Sequence, residues 1–421
     1  MMFDAVVLAD SPHAGVRILG LTLAERGRRV AARAGARRVC VVEDAGAARA
    51  LAAWHAEGGA PALLIVRAGD QLVHTPLVEP LLAGAAERRI AVGPDGAYAG
   101  AIWLGPAAAR EAIEALAGGG DDRALAARWA DAERIAHGAI ACHPATTPAE
   151  RRAAARMLLR ILIKAEDSAV SNYLYRPISR PISRLLVGTP VTPNQVSFTV
   201  AVIGMIGCWL TAHAGQRNLI LGAALVLFAG ILDGCDGELA RLRLTSSKFG
   251  AWLDTVVDEL TTTVYFVAIG YHTHLHHPDL PWLVPSIAAG LAGYAASIYG
   301  IYYFLVVVSK TGNSQHYVGD LEIVESEAGI GLRPRRRTST APPWLRKLGG
   351  ILILLVRRDC VNLIALAVTL VDGYFAIYLM MLAGGLVTAA VVVLEHLKLR
   401  RQLREVARRG ATPHLVRSGQ G

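Results

Sequence analysis

From Asn194 to about residue 400 the chain is a succession of long apolar runs, and this restricts its fold more than any other feature. Six stretches of about 20 residues, roughly 194–213, 218–240, 250–271, 282–308, 353–371 and 374–395, are each long enough to cross the ~30 Å hydrocarbon core of a bilayer. In lipid every backbone polar group must be satisfied within the protein, so such runs are expected as helices. The connections between them are unequal in charge. Arg241, Arg243 and Lys248 follow the second run, and Lys310, Arg333, Arg335, Arg336, Arg337, Arg346 and Lys347 lie between the fourth and fifth. Lys398, Arg400, Arg401, Arg404, Arg408 and Arg409 follow the last. The alternate connections hold Arg217, the HTHLHHPDLPW segment and Val371–Gly373. Positive charge collects on the cytoplasmic side, so six spans with both termini cytoplasmic satisfy every connection. Two acid-containing runs, the second and third, still count as spans.

The first 150 residues differ in kind, with 15 Arg and Lys against 17 Asp and Glu, while the rest carries 28 against 17. The excess of basic residues therefore belongs to the membrane half, where it suits anionic headgroups or phosphate ligands. No aromatic-basic interleaving of the single-strand-binding type is present, so no nucleic-acid partner is expected. Ala5–Ala9, Arg38–Val42, Ala62–Val66 and Ile90–Val92 read as buried strands, with helices expected over 22–35, 45–57 and 107–117. This alternation predicts an α/β domain with a largely parallel sheet over residues 1–148. A linker and juxtamembrane helix then occupy 149–192, the six-span domain 193–400, and a basic cytoplasmic tail 401–421. Arg176, Arg180 and Arg184, at i, i+4 and i+8, make the juxtamembrane helix amphipathic and place it at the membrane surface. The five cysteines stand singly, against a disulfide framework and in keeping with a reducing compartment. The start of the chain, MMFDAVVLADS, does not read as a signal peptide. His272, His274, His276 and His277 lack an acidic or thiol partner at ligand spacing and read as a solvated polar turn.

The chemistry is concentrated in LDGCDGELARLRLTSSKFGAWLDTVVDE, residues 232–259. Asp233 and Asp236, at i and i+3, share one helix face, and Asp254 and Asp258, at i and i+4, share another. Asp233 lies ~12 Å along its helix from Arg241, and Asp258 ~15 Å from Lys248. Two antiparallel helices would thus bring four carboxylates together just inside the membrane boundary. Unpaired, each would cost a few kcal/mol there, about 3 on insertion scales. An all-oxygen donor set calls for hard divalent cations, Mg²⁺ or Mn²⁺, and four carboxylates suit two ions. Gly237, Ala240 and Gly250 leave room for a ligand to approach the backbone, and Arg241 offers a planar donor fork for phosphate.

The pattern Asp233-x2-Asp236-Gly237-x2-Ala240-Arg241-x8-Gly250-x3-Asp254-x3-Asp258 resembles the signature of the CDP-alcohol phosphotransferase family at every fixed position. TPNQVS, Thr192–Ser197, resembles that family's motif at the start of the first span. The resemblance implies that Asp233, Asp236, Asp254 and Asp258 bind two metal ions and that Asp258 also acts as general base. It further implies that Asn194, Ser197, Gly237, Arg241, Ser247 and Gly250 meet the nucleotide. The donor would be a CDP-alcohol such as CDP-diacylglycerol or CDP-inositol. The acceptor would be a small polar alcohol such as inositol phosphate, and the assembly a homodimer in the cell membrane with its active site facing the cytoplasm. Arg176, Arg180 and Arg358 are candidates for binding a phosphate on the acceptor, since a guanidinium holds two phosphate oxygens at once; a positive-inside anchor is the plainer alternative. A multi-span transporter would also carry intramembrane acids, without needing Gly and Ala at fixed offsets from them.

The opening DAVVLADSPHAGVRILGLTLAERGRRVAARAGARRVCVV resembles the first strand, loop, helix and strand of nucleotidyltransferase-like domains. Asp70 in VRAGDQLV is similar to their strand-end metal aspartate. The phosphate-cradling loop is reduced to DSPHAGVR, without the usual lysine, leaving Arg17 and Asp70 as candidates. The fusion resembles bifunctional inositol-phosphate cytidylyltransferase and di-myo-inositol-phosphate-phosphate synthase proteins, and relatives of phosphatidylinositol-phosphate synthase. On this reading the N-terminal domain either makes the CDP-alcohol or is inactive or regulatory.

Overall fold

A computed structural model describes residues 2–163, 167–309, 317–326, 329–335 and 357–409. The chain divides into two compact units. The first consists of Met1–Asp167 with Arg180–Val191 and Glu238–Thr245; the second of Ser168–Ser179, Thr192–Gly237 and Ser246–Gly421.

In the first unit the strands are β1 (Phe3–Leu8), β2 (Arg17–Ile18), β3 (Leu21–Thr22), β4 (Val39–Val42), β5 (Ala62–Arg67), β6 (Gln71–Val73), β7 (Arg88–Val92), β8 (Tyr98–Leu104), β9 (Glu133–Ala136) and β10 (Cys142–Pro144). The helices are α1 (Leu23–Arg33), α2 (Ala45–Ala56), α3 (Glu79–Ala83), α4 (Pro106–Ala117), α5 (Asp122–Arg128) and α6 (Pro148–Leu159), followed by α7 (Arg176–Leu186), which runs across the division. Six strands form one sheet in the order β4-β1-β5-β8-β7-β9. The expected parallel sheet holds only in part: β4, β1 and β5 are parallel, β8 runs antiparallel to both its neighbours, and β7 and β9 are parallel. The reason is β8, an Ala- and Gly-containing strand that enters through a short turn rather than a helical crossover. Alternation along the strands buries both faces. Val6, Leu63 and Ile65 pack under α2, α4 and α5, whereas Ala5, Val7, Leu64 and Val66 pack under α1 and α3.

Asp4, wholly buried on β1, is held by Arg38 at 2.8 Å, Arg37 at 3.4 Å and the Ala60 amide at 2.9 Å. Burial by itself would raise its pKa, but these donors prevail and hold it below the usual carboxylate value. In the same unit Arg26 donates to the Leu242 carbonyl and Arg29 to the Arg243 carbonyl, both at 2.8 Å. Arg243 in turn donates to the carbonyls of Leu186 (2.8 Å), Val187 (3.1 Å) and Val191 (2.5 Å). Cations at a helix C-terminus satisfy the carbonyls that have no partner within the helix.

The second unit is helical. Its helices are α8 (Pro193–Ala212), α9 (Gln216–Leu242), α10 (Lys248–His276), α11 (Leu283–Phe304), α12 (Arg358–Thr369) and α13 (Tyr374–Arg408), with a hairpin of β11 (Leu321–Ser326) and β12 (Gly329–Pro334). Four helical segments, Pro193–Ala212, Gln216–Leu242, Leu283–Ser309 and Tyr374–Arg408, are long and apolar enough to cross a membrane, so the sequence-based count of six is met by four among the described residues. α10 has the length, with 29 residues, but carries Asp254, Asp258 and Glu259. The fifth expected run begins outside the described residues, and α12 has 12 residues. Small residues allow close helix approach: a Cβ on Gly207 would lie 2.9 Å from the Gly222 carbonyl, and one on Gly290 2.5 Å from Phe266.

The histidine segment is a turn only from His277 onward. α10 continues through His276, and the i, i+4 spacing stacks His272 on His276 with ring centroids 4.6 Å apart. His272 is 1% exposed, and Tyr374 meets it edge-on.

Candidate active site

Local sequence sets the start of each helix that carries the site. Thr192 caps α8 by accepting from the Gln195 amide at 3.3 Å, Gln195 returns the bond to the Thr192 amide at 2.8 Å, and Pro193 occupies the first helical position. Ser247 caps α10 by accepting from the Gly250 amide at 3.0 Å. A Cβ on Gly250 would meet Ser247 Oγ at 3.2 Å and Asn194 Oδ1 at 3.4 Å, so glycine lets Asn194, Ser247 and Gly250 gather.

Beyond these caps, Asp233, Asp254 and Asp258 each contribute a carboxylate oxygen to a group whose members lie within 4.8 Å of one another. Asp236, expected as a fourth member of one cluster, lies outside this group. It accepts the Ser197 hydroxyl and the Gly237 amide, which ties Ser197, Asp236 and Gly237 together. Arg358, the first residue of α12, lies against the three acids: it donates to Asp233 Oδ2 at 3.0 Å and also pairs with Asp258. The sequence offered this guanidinium as a candidate for an acceptor phosphate or as a positive-inside anchor; in this structure it pairs with the carboxylates. Arg176 is buried, with its Nη1 so placed that a Cβ on Gly234 would lie 3.1 Å away. Arg180, partly buried, and Arg241, on the last turn of α9, fall in the first unit.

Several further polar residues support this arrangement. Asp359 accepts the Ser168 hydroxyl and the Cys360 amide, the latter at 3.0 Å, and the Tyr175 hydroxyl reaches the Asp359 carbonyl at 3.4 Å. The residue after Arg358 thus fastens the start of α12 to residues 168–175. A cavity of about 450 Å³ adjoins the carboxylates, lined by Asp233, Asp258, Arg358 and residues of α8 to α13. In its wall Tyr294 donates to the Glu259 carboxylate. The Ser168–Asp359 and Tyr294–Glu259 contacts join positions far apart in sequence with no motif spacing, so no local pattern could have revealed them.

A hard divalent cation fits this donor set. Three clustered carboxylates provide oxygen ligands only, and the Arg358 guanidinium already supplies positive charge beside them.

In the first unit, Arg17 is exposed on β2, and the turn before it is closed by the His13 amide donating to Ser11 Oγ at 3.2 Å. Asp70 follows β5 and is flanked by Arg67 at 3.8 Å and Arg123 at 3.5 Å. Arg67 also pairs with Asp121 at 3.3 Å and Asp122 at 2.8 Å, and Tyr98 donates to Asp122 at 2.7 Å. Burial, with Asp121 alongside, pushes Asp122 up to about 6 against the opposing pull of Tyr98 and Arg67.

Carboxylates gathered between helices of membrane-crossing length, with a guanidinium set against them, define a membrane protein with an acidic centre suited to divalent metal. The chain belongs to the CDP-alcohol phosphatidyltransferase family, whose sequence profile matches residues 190–325. It is 30% identical over 158 residues to the phosphatidylinositol phosphate synthase of Corynebacterium glutamicum, a match covering 35% of this chain and 67% of that protein. It is 40% identical over 131 residues to the bifunctional IPC transferase and DIPP synthase of Rubrobacter xylanophilus, covering 31% of this chain and 29% of the relative. The protein of the same name from Thermococcus kodakarensis is 38% identical over 128 residues, covering 30% and 28%. The chain thus spans under a third of the length of these bifunctional relatives.

Proposed function

We propose that this protein transfers the phospho-alcohol unit of a CDP-alcohol to a hydroxyl acceptor and releases CMP. The observation that carries the reading is the convergence of Asp233, Asp254 and Asp258 beside a cavity large enough for a small-molecule acceptor. Asp233, Asp254 and Asp258, with Asp236 one turn along, would hold two Mg²⁺ or Mn²⁺ ions. Bound there, such ions supply charge to offset the diphosphate and the departing CMP. Asn194, Ser197, Gly237, Ser247 and Gly250 form the nucleotide side, with Arg241 as a phosphate fork. Asp258 lines the cavity and takes the proton of the acceptor hydroxyl as its oxygen attacks the phosphorus that bears the donor alcohol; the bond from that phosphorus to CMP breaks. Most of the rate enhancement then comes from positioning and charge complementarity. Arg358, and with it Arg176 and Arg180, is assigned to a phosphate on the acceptor, with Arg358 leaving the carboxylates when the metal sites fill.

The donor is CDP-diacylglycerol or CDP-inositol, and the acceptor inositol phosphate, in line with the names of the relatives. Six spans, cytoplasmic termini and active site, and a homodimer complete the proposal; α10 and the run ending in α12 supply the two further spans. Purified protein with Mg²⁺ or Mn²⁺ and a panel of CDP-alcohols and acceptors, read by CMP release and product mass spectrometry, tests it. No CMP from any donor overturns the transfer reading.

A second reading, in which the N-terminal domain also makes the CDP-alcohol, is favoured by its three-layer α/β architecture and by the bifunctional relatives. Against activity stands the placement of Asp70 between Arg67 and Arg123. Diphosphate release from CTP and inositol phosphate decides it.

A further inference from the structure

The end of α9 is closed from two sides. The last carbonyls of a helix have no partner within it, and here these are the carbonyls of Ala240, Arg241, Leu242 and Arg243. The chain itself closes two of them. The Thr245 amide donates to Ala240 at 2.9 Å and the Leu244 amide to Arg241 at 3.3 Å, the two bonds of a Schellman turn. α1 closes the other two: Arg26 donates to the Leu242 carbonyl across 216 residues of sequence, and Arg29 to the Arg243 carbonyl across 214. Arg26 is wholly buried, and its Nε and Nη1 have no hydrogen-bond partner among the described residues. The bond to Leu242, at the negative end of α9, therefore offsets the burial of this guanidinium.

Leu244 is an unusual residue for such a turn. It has φ +55°, a left-handed conformation in which glycine is the ordinary choice and leucine is strained. Its side chain packs against the buried cluster that includes Val7, Val30 and Val73 of the N-terminal domain, so the strained residue serves as an anchor. Gly20, at φ +83°, brings the β2–β3 turn against residue 187, where a Cβ would lie 2.3 Å from the Val187 carbonyl. Arg243 joins the two held segments through its bonds to Leu186, Val187 and Val191. All of these residues belong to the first compact unit.

We infer that the N-terminal domain is a positioning element of the transferase, with Arg26, Arg29 and Leu244 forming a clamp on the end of the helix that bears Asp233 and Asp236. The clamp needs no nucleotidyl transfer by that domain. Its effect passes along the chain to residues on the nucleotide side. Arg241 directly precedes Leu242, Ser247 stands two residues after Thr245, and Asn194 three after Val191. Holding the segments from which these residues project lowers the ordering cost of binding the donor. The assignment rests on the transfer reading above, which gives those residues to the nucleotide.

The test uses the full chain in detergent with Mg²⁺. Arg29→Met removes the donor to Arg243 at a partly exposed position, and Leu244→Gly suits the positive φ while removing the anchor. Each is expected to raise the KM for the CDP-alcohol about tenfold, the scale of one lost charge-assisted hydrogen bond, with the acceptor KM unchanged. Calorimetric binding of CDP should weaken by the same factor. Arg29→Lys keeps a donor for Arg243 and should stay within about threefold of wild type. A purely structural contact would lower Tm in these variants without separating the two KM values. Donor KM and CDP affinity at wild-type values, equal rises in both KM values, no recovery in Arg29→Lys, or no binding of CDP to the wild type overturns the clamp. Absence of CMP release with every donor while the CDP-binding differences persist overturns the transfer reading alone.

Discussion

Arg358 donates to Asp233 at 3.0 Å, joining two residues 125 positions apart, and reaches Asp258 from the same guanidinium. Three carboxylates between apolar helices repel one another strongly, and a fixed cation on a neighbouring helix offsets that repulsion until a metal or substrate arrives. The same group is therefore available to exchange partners, from carboxylate when the site lacks metal to phosphate when substrate is present.

The first expected outcome concerns metal removal. In wild type, stripping divalent cations with EDTA should lower the Tm modestly, because Arg358 returns to the acids. In Arg358→Ala the same treatment should lower it several degrees further, since the clustered carboxylates then lose the cation that pairs with them. Equal EDTA shifts in the two proteins would show that Arg358 does not stabilise the acidic centre.

Asp233→Asn, Asp254→Asn and Asp258→Asn should each reduce CMP release roughly 100-fold or more, the scale of losing one electrostatic element of an active site. Asp236→Asn should do the same through Ser197 and Gly237. Size-exclusion profiles should remain those of wild type. Near-normal turnover in any two of the four would rule out the two-metal centre.

Asp359 positions Arg358 without lining the cavity itself. Asp359→Asn weakens the fastening to Ser168 and is expected to lower kcat about tenfold, equivalent to one charge-assisted hydrogen bond, with the donor KM unchanged. Ser168→Ala should reproduce the direction of the effect at smaller size. If both variants turn over at the wild-type rate, the fastening is only structural.

His74 gives the first unit a pH dependence. Burial, with Arg26 and Arg33 nearby, pulls its pKa down to about 4 from an ordinary value of 6.5. Between those values the unfolded chain binds the extra proton and the folded chain does not, so stability should rise as pH increases from about 4 to 6.5. Asp122, raised from 3.8 to about 6, works in the opposite direction: the folded state holds the proton, and stability falls as pH rises through that window. Thermal unfolding of His74→Gln from pH 4 to 6.5 should therefore lose the rising contribution and leave the falling one. An unchanged pH profile would exclude His74 as a contributor.

Much of this protein was determined by neighbours in sequence. Helix periodicity put Asp254 and Asp258 on one face, Thr192 and Pro193 started α8, and short apolar runs marked β1, β4, β5 and β7. These follow from local rules, because a helix face or a strand face is fixed by spacing alone. Other features depended on which elements pack together. The antiparallel insertion of β8, the withdrawal of Asp236 to Ser197, the seating of Arg358 on Asp233 and Asp258, and the Tyr294–Glu259 pair all join residues between 35 and 125 positions apart or strands whose direction no local pattern sets. Spacing along one helix orients a side chain about that helix, but the partner it meets is chosen by tertiary packing, and here that packing decided which cation neutralises the acids.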